Sequence, residues 1–219
     1  MRARTLDDLS AFLRDDLAWR RKENRALQTL VHRSEASQKQ AILRGAIASL
    51  YAHWEGFVKT SCRVYIEFVK LRKLRNCELS IPLLGLALKL NLKRTENVDR
   101  IDSHREFSDW LLREWRRRAR LPDPEDVIST SNLNARVLKD YMLGLGLPYG
   151  ADFEMAEKPV VDALVRIRNN LAHGEWQLVN ESEYDQFVIW IERLMLRVCE
   201  QVEDAVANST YRRGLTQLT

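Results

Sequence analysis

The chain has 219 residues, of which 45% are hydrophobic, which is enough for one substantial helical domain or two small ones and excludes a disordered chain. Glycine (8) and proline (5) are scarce, which favours helices over a turn-rich β architecture. The net charge of +4 is only mildly basic, so it permits nucleic-acid binding without demonstrating it.

The sequence predicts neither a membrane segment nor a disulfide framework. The first residues lack a continuous apolar stretch, and the longest apolar run, residues 81–90, is too short to span a bilayer. The three cysteines, Cys62, Cys77 and Cys199, are odd in number and widely scattered. We therefore expect a soluble, cytoplasmic protein with reduced thiols and no membrane contact.

Two long helices are predicted in the first third of the chain. Thr5 and Asp8 form a capping-box pattern that starts a helix reaching about His32. The polar residues 34–40 should separate it from a second helix that ends near Leu74. The apolar stripe of this second helix comprises Leu43, Ile47, Leu50, Trp54, Val58, Tyr65 and Val69.

Shorter elements are predicted next. Ser103 and Glu106 should cap a helix that contains the basic residues 113–120, and residues 121–126 (LPDPED) should stop it. Ser131 or Asn132 should cap a short helix that ends near Gly144 or Gly146.

Two more long helices complete the prediction. Pro159 suits the first turn of one of them, and Asn180 or Ser182 starts the last, which has the cleanest apolar face in the chain. The sequence therefore predicts an all-α, up-and-down bundle of four long helices, as a single domain over residues 1–219 with a smaller helical insertion at about 76–130.

The helix that follows Pro159 carries an arginine, Arg168, near the middle of its apolar arc. A buried guanidinium needs compensation, which a buried carboxylate, a subunit interface or a phosphate would supply. His173 lies roughly 140° away from Arg168 on an ideal helix, so one straight helix cannot aim both side chains at one atom. Either the helix ends or unwinds between Asn169 and Gly174, or two copies converge across a two-fold axis, and both can hold together.

The string RNNLAHG at residues 168–174 resembles the motif of the HEPN superfamily, in which an arginine precedes a histidine by four to six residues. The chain is most similar to prokaryotic HEPN-like nucleases of the RiboL-PSP and MAE types, and residues 51–59 and 131–147 also resemble that branch. Arg25 and His32 fit the same spacing, but they lie in a helix whose apolar stripe excludes them.

The resemblance implies a dimeric four-helix bundle that acts as a metal-independent endoribonuclease. It further implies a toxin of a toxin–antitoxin pair or an anti-phage effector, with RNA as substrate and a cognate antitoxin or defence protein as partner. Catalysis is expected from Arg168 and His173, with Asn169 in support. Some relatives are non-catalytic modules that bind RNA or a protein, and this is the alternative function.

These residue types suit RNA cleavage because RNA supplies its own nucleophile, the 2′-hydroxyl. Arg168 would hold the phosphate bidentately, His173 would transfer protons near neutral pH, and Asn169 would orient the histidine or donate to the phosphate. The expected product is a 2′,3′-cyclic phosphate. In the alternative structural interpretation, Arg168 pairs with a buried carboxylate such as Glu55 or Glu67, and His173 only bonds the last helix carbonyls.

Other candidate residues are less specific. His32, His53 and His104 show no metal-ligand spacing, so we expect no metal or cofactor. His53 either contributes to the substrate cleft or makes a polar contact beside the core stripe. Four arginines follow an aromatic residue, Trp115, and form either an RNA-binding surface or a solvated helix face. They are Arg116, Arg117, Arg118 and Arg120. The basic cluster at residues 70–75 is a weaker candidate of the same kind.

Overall fold

The computed structural model describes residues 3–95, 101–128, 132–176 and 178–214. Its helices, in chain order, are α1 (Leu6–Arg33), α2 (Ala36–Leu71), α3 (Ile81–Thr95), α4 (Ile101–Glu114), α5 (Pro124–Val127), α6 (Ala135–Gly144), α7 (Ala151–Ala156), α8 (Ala163–Ala172) and α9 (Glu181–Ala207). A short 3₁₀ turn spans Asn76–Glu78, and a π-helical turn, Glu157–Asp162, joins α7 to α8. The all-α bundle predicted from the sequence is confirmed.

The core forms where α1, α2 and α9 pack on one another, with α8 lying against α2. The predicted stripe of α2 is buried throughout, and Trp54 is completely enclosed. In the segment between α2 and α6, α3 contacts α6 and α5 contacts α2. None of the described helices combines the length and apolarity needed to cross a membrane.

The capping prediction for α1 is confirmed. Thr5 Oγ1 accepts a hydrogen bond from Asp8 N at 3.1 Å, and the Asp8 carboxylate accepts one from Thr5 N at 3.0 Å. At the other end of the chain Asn180 caps α9, because its Oδ1 accepts from Ser182 N at 3.0 Å. These local signals work because each satisfies backbone N–H groups that a helix terminus leaves unpaired.

The polar segment at residues 34–40 is a turn for only two residues, because α2 already begins at Ala36. Contacts with the start of α9 hold this first turn of α2. Lys39 pairs with Glu181 at 2.7 Å, and the Gln40 amide exchanges hydrogen bonds with both backbone groups of Val179. The connection between α1 and α2 is therefore shorter than the polar residues predicted. The end of α2, at Leu71, also comes earlier than the predicted end near Leu74.

The long helix that was predicted to start near Pro159 begins earlier. One continuous helical rod runs from Ala151 through the π turn to Ala172, and Pro159 lies inside that turn. Proline removes an N–H donor and crowds the carbonyl four residues before it, so a regular α-helix cannot contain it without distortion. The wider π turn accommodates Pro159, and the rod continues past it.

Two further predictions about helix starts were wrong. The helix that contains Trp110 starts at Ile101, so Ser103 is not its N-cap. The cap of α6 is Asn134, whose Oδ1 accepts from Val137 N at 2.9 Å, rather than Asn132, while Ser131 lies outside the described residues. The predicted end of α6 near Gly144 is confirmed.

The basic run was predicted as part of a helix, but α4 ends at Glu114, the chain turns over residues 115–117, and the rest of the run is extended. Its backbone pairs with the segment after α2: Ala119 N donates to Leu74 O at 2.8 Å, and Asn76 N donates to Arg117 O at 3.0 Å. Arg75 and Arg118 form an isolated antiparallel bridge. These non-local backbone bonds replace the helical ones, which sequence periodicity could not indicate.

Candidate active site at the end of α8

The predicted motif lies at the C-terminus of α8, where the helix ends in a Schellman motif. Glu175 N donates to Asn170 O at 2.9 Å, and Gly174 N donates to Leu171 O at 3.1 Å. Gly174 adopts the left-handed conformation that this ending requires, with φ of 73°. His173 is the C-cap residue and its backbone N–H donates to Asn169 O. The helix thus ends within the predicted window, between Asn169 and Gly174.

Arg168 is half-buried and is held by neutral groups. Its Nη1 donates to Asn132 Oδ1 at 3.3 Å and to Asn169 Oδ1 at 3.1 Å. Its guanidinium carbon lies 5.0 Å from the centroid of the Tyr51 ring, which is a cation–π contact. Within the described part of the chain, Arg168 forms no ion pair. The charge of Arg168 is therefore fixed in place without being neutralised.

The two carboxylates considered as partners of Arg168 are engaged elsewhere. Glu55 accepts hydrogen bonds from Lys59 at 2.9 Å and from the Tyr51 hydroxyl at 3.1 Å. Glu67 lies 3.4 Å from Lys70. The structural interpretation, in which a buried glutamate compensates Arg168, is therefore wrong.

Tyr51 links α2 to the loop that carries Asn132. Its hydroxyl accepts a hydrogen bond from the buried Leu133 N at 2.8 Å while donating to Glu55. Burial raises the pKa of Tyr51 well above its ordinary value, so the hydroxyl keeps its proton and its donor role. One tyrosine thus supplies the face beneath Arg168 and fixes the backbone next to Asn132.

Asn132 is the site residue that sequence reasoning missed, because it was considered only as a helix cap. Its Nδ2 donates to Asn169 Oδ1 at 2.9 Å, and its Oδ1 accepts from Arg168. The three side chains form a closed hydrogen-bonded ring. The available signal was the position of Asn132 within residues 131–147, a segment already matched by family resemblance.

Asn169 and His173 do not contact each other through their side chains. Asn169 Oδ1 accepts from both Arg168 and Asn132, which leaves its Nδ2 as the group available to a phosphate. The His173 side chain is exposed and makes no hydrogen bond to any described residue. Asn169 therefore orients Arg168, and the predicted alternative in which it orients His173 does not hold in the single chain.

The other histidines that were considered lie away from the motif. His53 is buried against α1, where its ring packs edge-on to Trp19 at 5.1 Å and its Nε2 lies 3.4 Å from Glu23. Burial lowers the pKa of His53, which keeps the ring neutral near physiological pH. The expectation of a polar contact beside the core is confirmed for His53.

Arg25 and His32, which fit the same spacing as the motif, both contact α9. Arg25 lies 3.9 Å from Glu192, and His32 bridges Glu181 at 2.6 Å and Asp185 at 3.2 Å. Both members of the pair therefore have carboxylate partners in the same chain, which distinguishes them from Arg168.

The four arginines proposed to bind RNA are far from the motif. The pocket that Arg117, Arg118 and Arg120 line also includes Lys70, at the C-terminal end of α2. Lys70 follows Tyr51 by 19 residues, which is about 28 Å along a helix. Arg116 is exposed and lies outside this pocket. The structure therefore separates the basic run from the motif.

The three cysteines are free, as expected. Burial raises the pKa of Cys62 and of Cys199 to about 12, so neither thiol is an activated nucleophile. The described residues contain no group of three or more histidine, cysteine or acidic side chains placed to hold a metal ion.

Fold and site together define a class of protein: an all-helical HEPN-type bundle whose penultimate long helix ends in an arginine–histidine motif. The family model described as HEPN_MAE_28990/-like HEPN matches residues 9–211, and the chain belongs to this family. Of the two branches that the sequence resembles, the match is to the MAE type. No curated protein and no solved structure matches the chain. HEPN membership suggests a nuclease or an RNA-binding module.

Proposed function

We propose that this protein is a metal-independent endoribonuclease in which Arg168, His173 and Asn169 act on the scissile phosphate. The observation that carries the proposal is the environment of Arg168. Two amide oxygens and an aromatic ring orient the guanidinium, and no described carboxylate neutralises it. A charge held in this way is suited to an anionic ligand, because the protein itself leaves it uncompensated.

The proposed chemistry assigns one task to each group. Arg168 contacts described residues through Nη1, and its other guanidinium nitrogens would hold two phosphate oxygens. Asn169 Nδ2 adds a neutral donor beside it. The 2′-oxygen attacks phosphorus and the bond from phosphorus to the 5′-oxygen breaks, which yields a 2′,3′-cyclic phosphate and a 5′-hydroxyl. His173 takes the proton of the 2′-hydroxyl or gives one to the leaving 5′-oxygen.

A homodimer is part of the proposal. His173 is exposed at the helix end, and the Arg168 guanidinium lies against Tyr51 and Asn132. A histidine from one copy and an arginine from the other would meet at one phosphate if two α8 ends faced each other across a two-fold axis. The segment after the motif offers apolar surface for such an interface, since Trp176 is 77% exposed and Leu178 is 67% exposed.

The direct test is incubation of purified protein with total RNA in EDTA, followed by mapping of the product ends. Wild-type protein should cleave and leave cyclic phosphates, while Arg168→Ala and His173→Ala should not. Products with 5′-phosphate and 3′-hydroxyl ends would contradict the mechanism.

Asn132→Asp separates the role of the Arg168 charge from the stability of the fold. The substitution places a carboxylate at the position that now accepts from Arg168 Nη1 at 3.3 Å, so the guanidinium becomes ion-paired. It also removes the Nδ2 group that donates to Asn169 Oδ1 at 2.9 Å. Cleavage should fall about a hundredfold while the protein remains folded, because the new ion pair with Arg168 offsets the lost hydrogen bond to Asn169. The matched control is Asn134→Asp, because aspartate is an equally good cap for α6, and this variant should retain activity. Full activity in Asn132→Asp would refute the role of the free charge.

A toxin or anti-phage effector is the biological setting that we propose, with a cognate antitoxin or defence protein as partner. Expression of the wild type in a bacterial host should then arrest growth, and His173→Ala should restore it at equal protein level. Unimpeded growth with active, well-expressed protein would argue against an unregulated toxin.

One observation favours the alternative, a non-catalytic module that binds RNA. The His173 side chain has no partner among the described residues, so none of them orients it for proton transfer. In this alternative, RNA binds to wild type and to His173→Ala with equal affinity, and neither protein cleaves it. The non-catalytic alternative would be supported if wild type did not cleave RNA and only Arg168→Ala lost RNA binding.

A further inference from the structure

A pocket of about 790 Å³ lies at the other end of α2, between α2, α3 and α4. One wall is the extended segment after α4, which includes Arg118 and Arg120. The backbone of this segment is fixed by its hydrogen bonds with residues 74–77, so the side chains that it presents start from a defined frame. The pocket is therefore built by non-local pairing and is more than a row of surface charges.

The charge of this pocket is strongly unbalanced. Among the described lining residues four are cationic, and Glu114 is the one carboxylate. Glu114 is already paired with Arg117 at 2.7 Å, while Lys70 is paired with Asp123 at 2.6 Å. Arg118 and Arg120 form no ion pair with any described residue. These two arginines leave uncompensated positive charge at the pocket wall, which attracts an anion.

The other lining residues that the structure describes are apolar, except for one buried amide. Trp110, Leu88 and Leu121 supply flat and aliphatic surface. Asn76 is 5% exposed and lines the pocket, and its Nδ2 donates to Glu114 O at 3.0 Å. Its Oδ1 has no hydrogen-bond partner in the described structure. A buried acceptor without a partner costs stability, and a donor on a bound ligand would relieve that cost.

We infer that this pocket binds a nucleotide unit, with its phosphate at Arg118 and Arg120 and its base against Trp110 and Leu121. The combination of an anion, a flat ring and hydrogen-bond donors on that ring matches the three features of the lining. A free nucleotide and a nucleotide within an RNA strand share this chemistry. The inference does not rest on the proposed ribonuclease activity, since the pocket is about 28 Å from Tyr51 along α2.

The test measures fluorescence anisotropy of two probes with the full-length His173→Ala protein, in which cleavage does not interfere. One probe is a fluorescently labelled adenosine monophosphate, and the other is a labelled single-stranded oligoribonucleotide. The double variant Arg118→Ala/Arg120→Ala should lower the affinity about tenfold and reduce the salt dependence of binding. Arg116→Ala is the matched control, because this arginine belongs to the same run but lies outside the pocket, and it should bind as the parent does.

Each outcome has a defined meaning. If the parent protein binds the mononucleotide and the double variant does not, the result supports the proposed binding site and identifies free nucleotides as ligands. Binding of the oligoribonucleotide alone, lost in the same variant, supports it with RNA as the source. The inference would be overturned if pyrophosphate displaced either probe as effectively as unlabelled adenosine monophosphate, because the pocket would then recognise only charge. Equal losses in the double variant and in Arg116→Ala would also overturn it, and circular dichroism melts show whether the variants are folded.

Discussion

The Tyr51 hydroxyl connects the core to the candidate site, and its removal should have a cost that the structure allows us to estimate. In Tyr51→Phe the ring under Arg168 remains, but the buried Leu133 N–H loses its acceptor at 2.8 Å. An unsatisfied buried donor costs about 1–3 kcal/mol. Glu55 keeps its bond to Lys59, so the loss of its second donor adds little. We expect a decrease of about 2 kcal/mol in the free energy of unfolding.

The matched control is Tyr184→Phe, at another buried tyrosine. Burial raises the pKa of Tyr184 to about 12, and its hydroxyl has no hydrogen-bond partner in the described structure. Removing this hydroxyl should leave stability unchanged or raise it slightly, because a buried polar group disappears and nothing is left unpaired.

Urea unfolding and thermal melts measure both variants. For a chain of this size about 2 kcal/mol corresponds to a decrease of roughly 4–8 °C in the melting temperature. Equal stabilities of the two variants would refute the reasoning, because the hydrogen bond to Leu133 would then contribute nothing.

Three further predictions concern the helix end, the acid limb of stability and self-association. Gly174→Ala should destabilise the protein by about 1 kcal/mol, because φ of Gly174 is positive. Gly45→Ala should stabilise it by up to about 1 kcal/mol, because Gly45 lies inside α2 with open space around the added Cβ. Urea unfolding measures both variants, and a stability change of the same sign in both would contradict the argument. Arg14 holds the pKa of Glu203 below its ordinary value of 4.5, so this ion pair contributes stability above that pH and loses it as the pH falls through the lowered value. Glu203→Gln should therefore lose less stability than wild type between about pH 6 and pH 3, and parallel acid limbs would count against the pair. Trp176→Ser should shift a dimer toward monomer in analytical ultracentrifugation if the surface after the motif forms the interface, and an unchanged dimer would place the interface elsewhere.

Local signals in the sequence predicted the elements whose ends are fixed locally. The capping box at Thr5, the Asn180 cap and the left-handed Gly174 all depend on bonds within a few residues of the helix end. The buried stripe of α2 was equally accessible, since helical periodicity determines which side chains share a face. These features account for the bundle and for the position of the motif within it.

Predictions failed where distant residues determine the backbone. The basic run after Glu114 has good helix formers, but its N–H and C=O groups pair with residues 74–77, which are about forty positions earlier. Pro159 was assigned to a helix start because proline usually cannot lie inside a helix, and the π turn is the exception that the pattern did not indicate. In both cases tertiary contacts outweighed a weak local preference.

Arg168 shows how a sequence can define a physical problem without its solution. Its place on an apolar arc required compensation, and the candidates were a carboxylate, a second subunit or a phosphate. The structure adds a partial answer that the sequence did not suggest: amide oxygens of Asn132 and Asn169 and the ring of Tyr51 orient the guanidinium but carry no formal charge. Neutral partners reduce the cost of burying the group while leaving its field available to a ligand. A carboxylate in place of the Asn169 amide would accept the same bonds from Arg168 and Asn132 and would cancel that field, which is why the amides favour a functional role over a structural one.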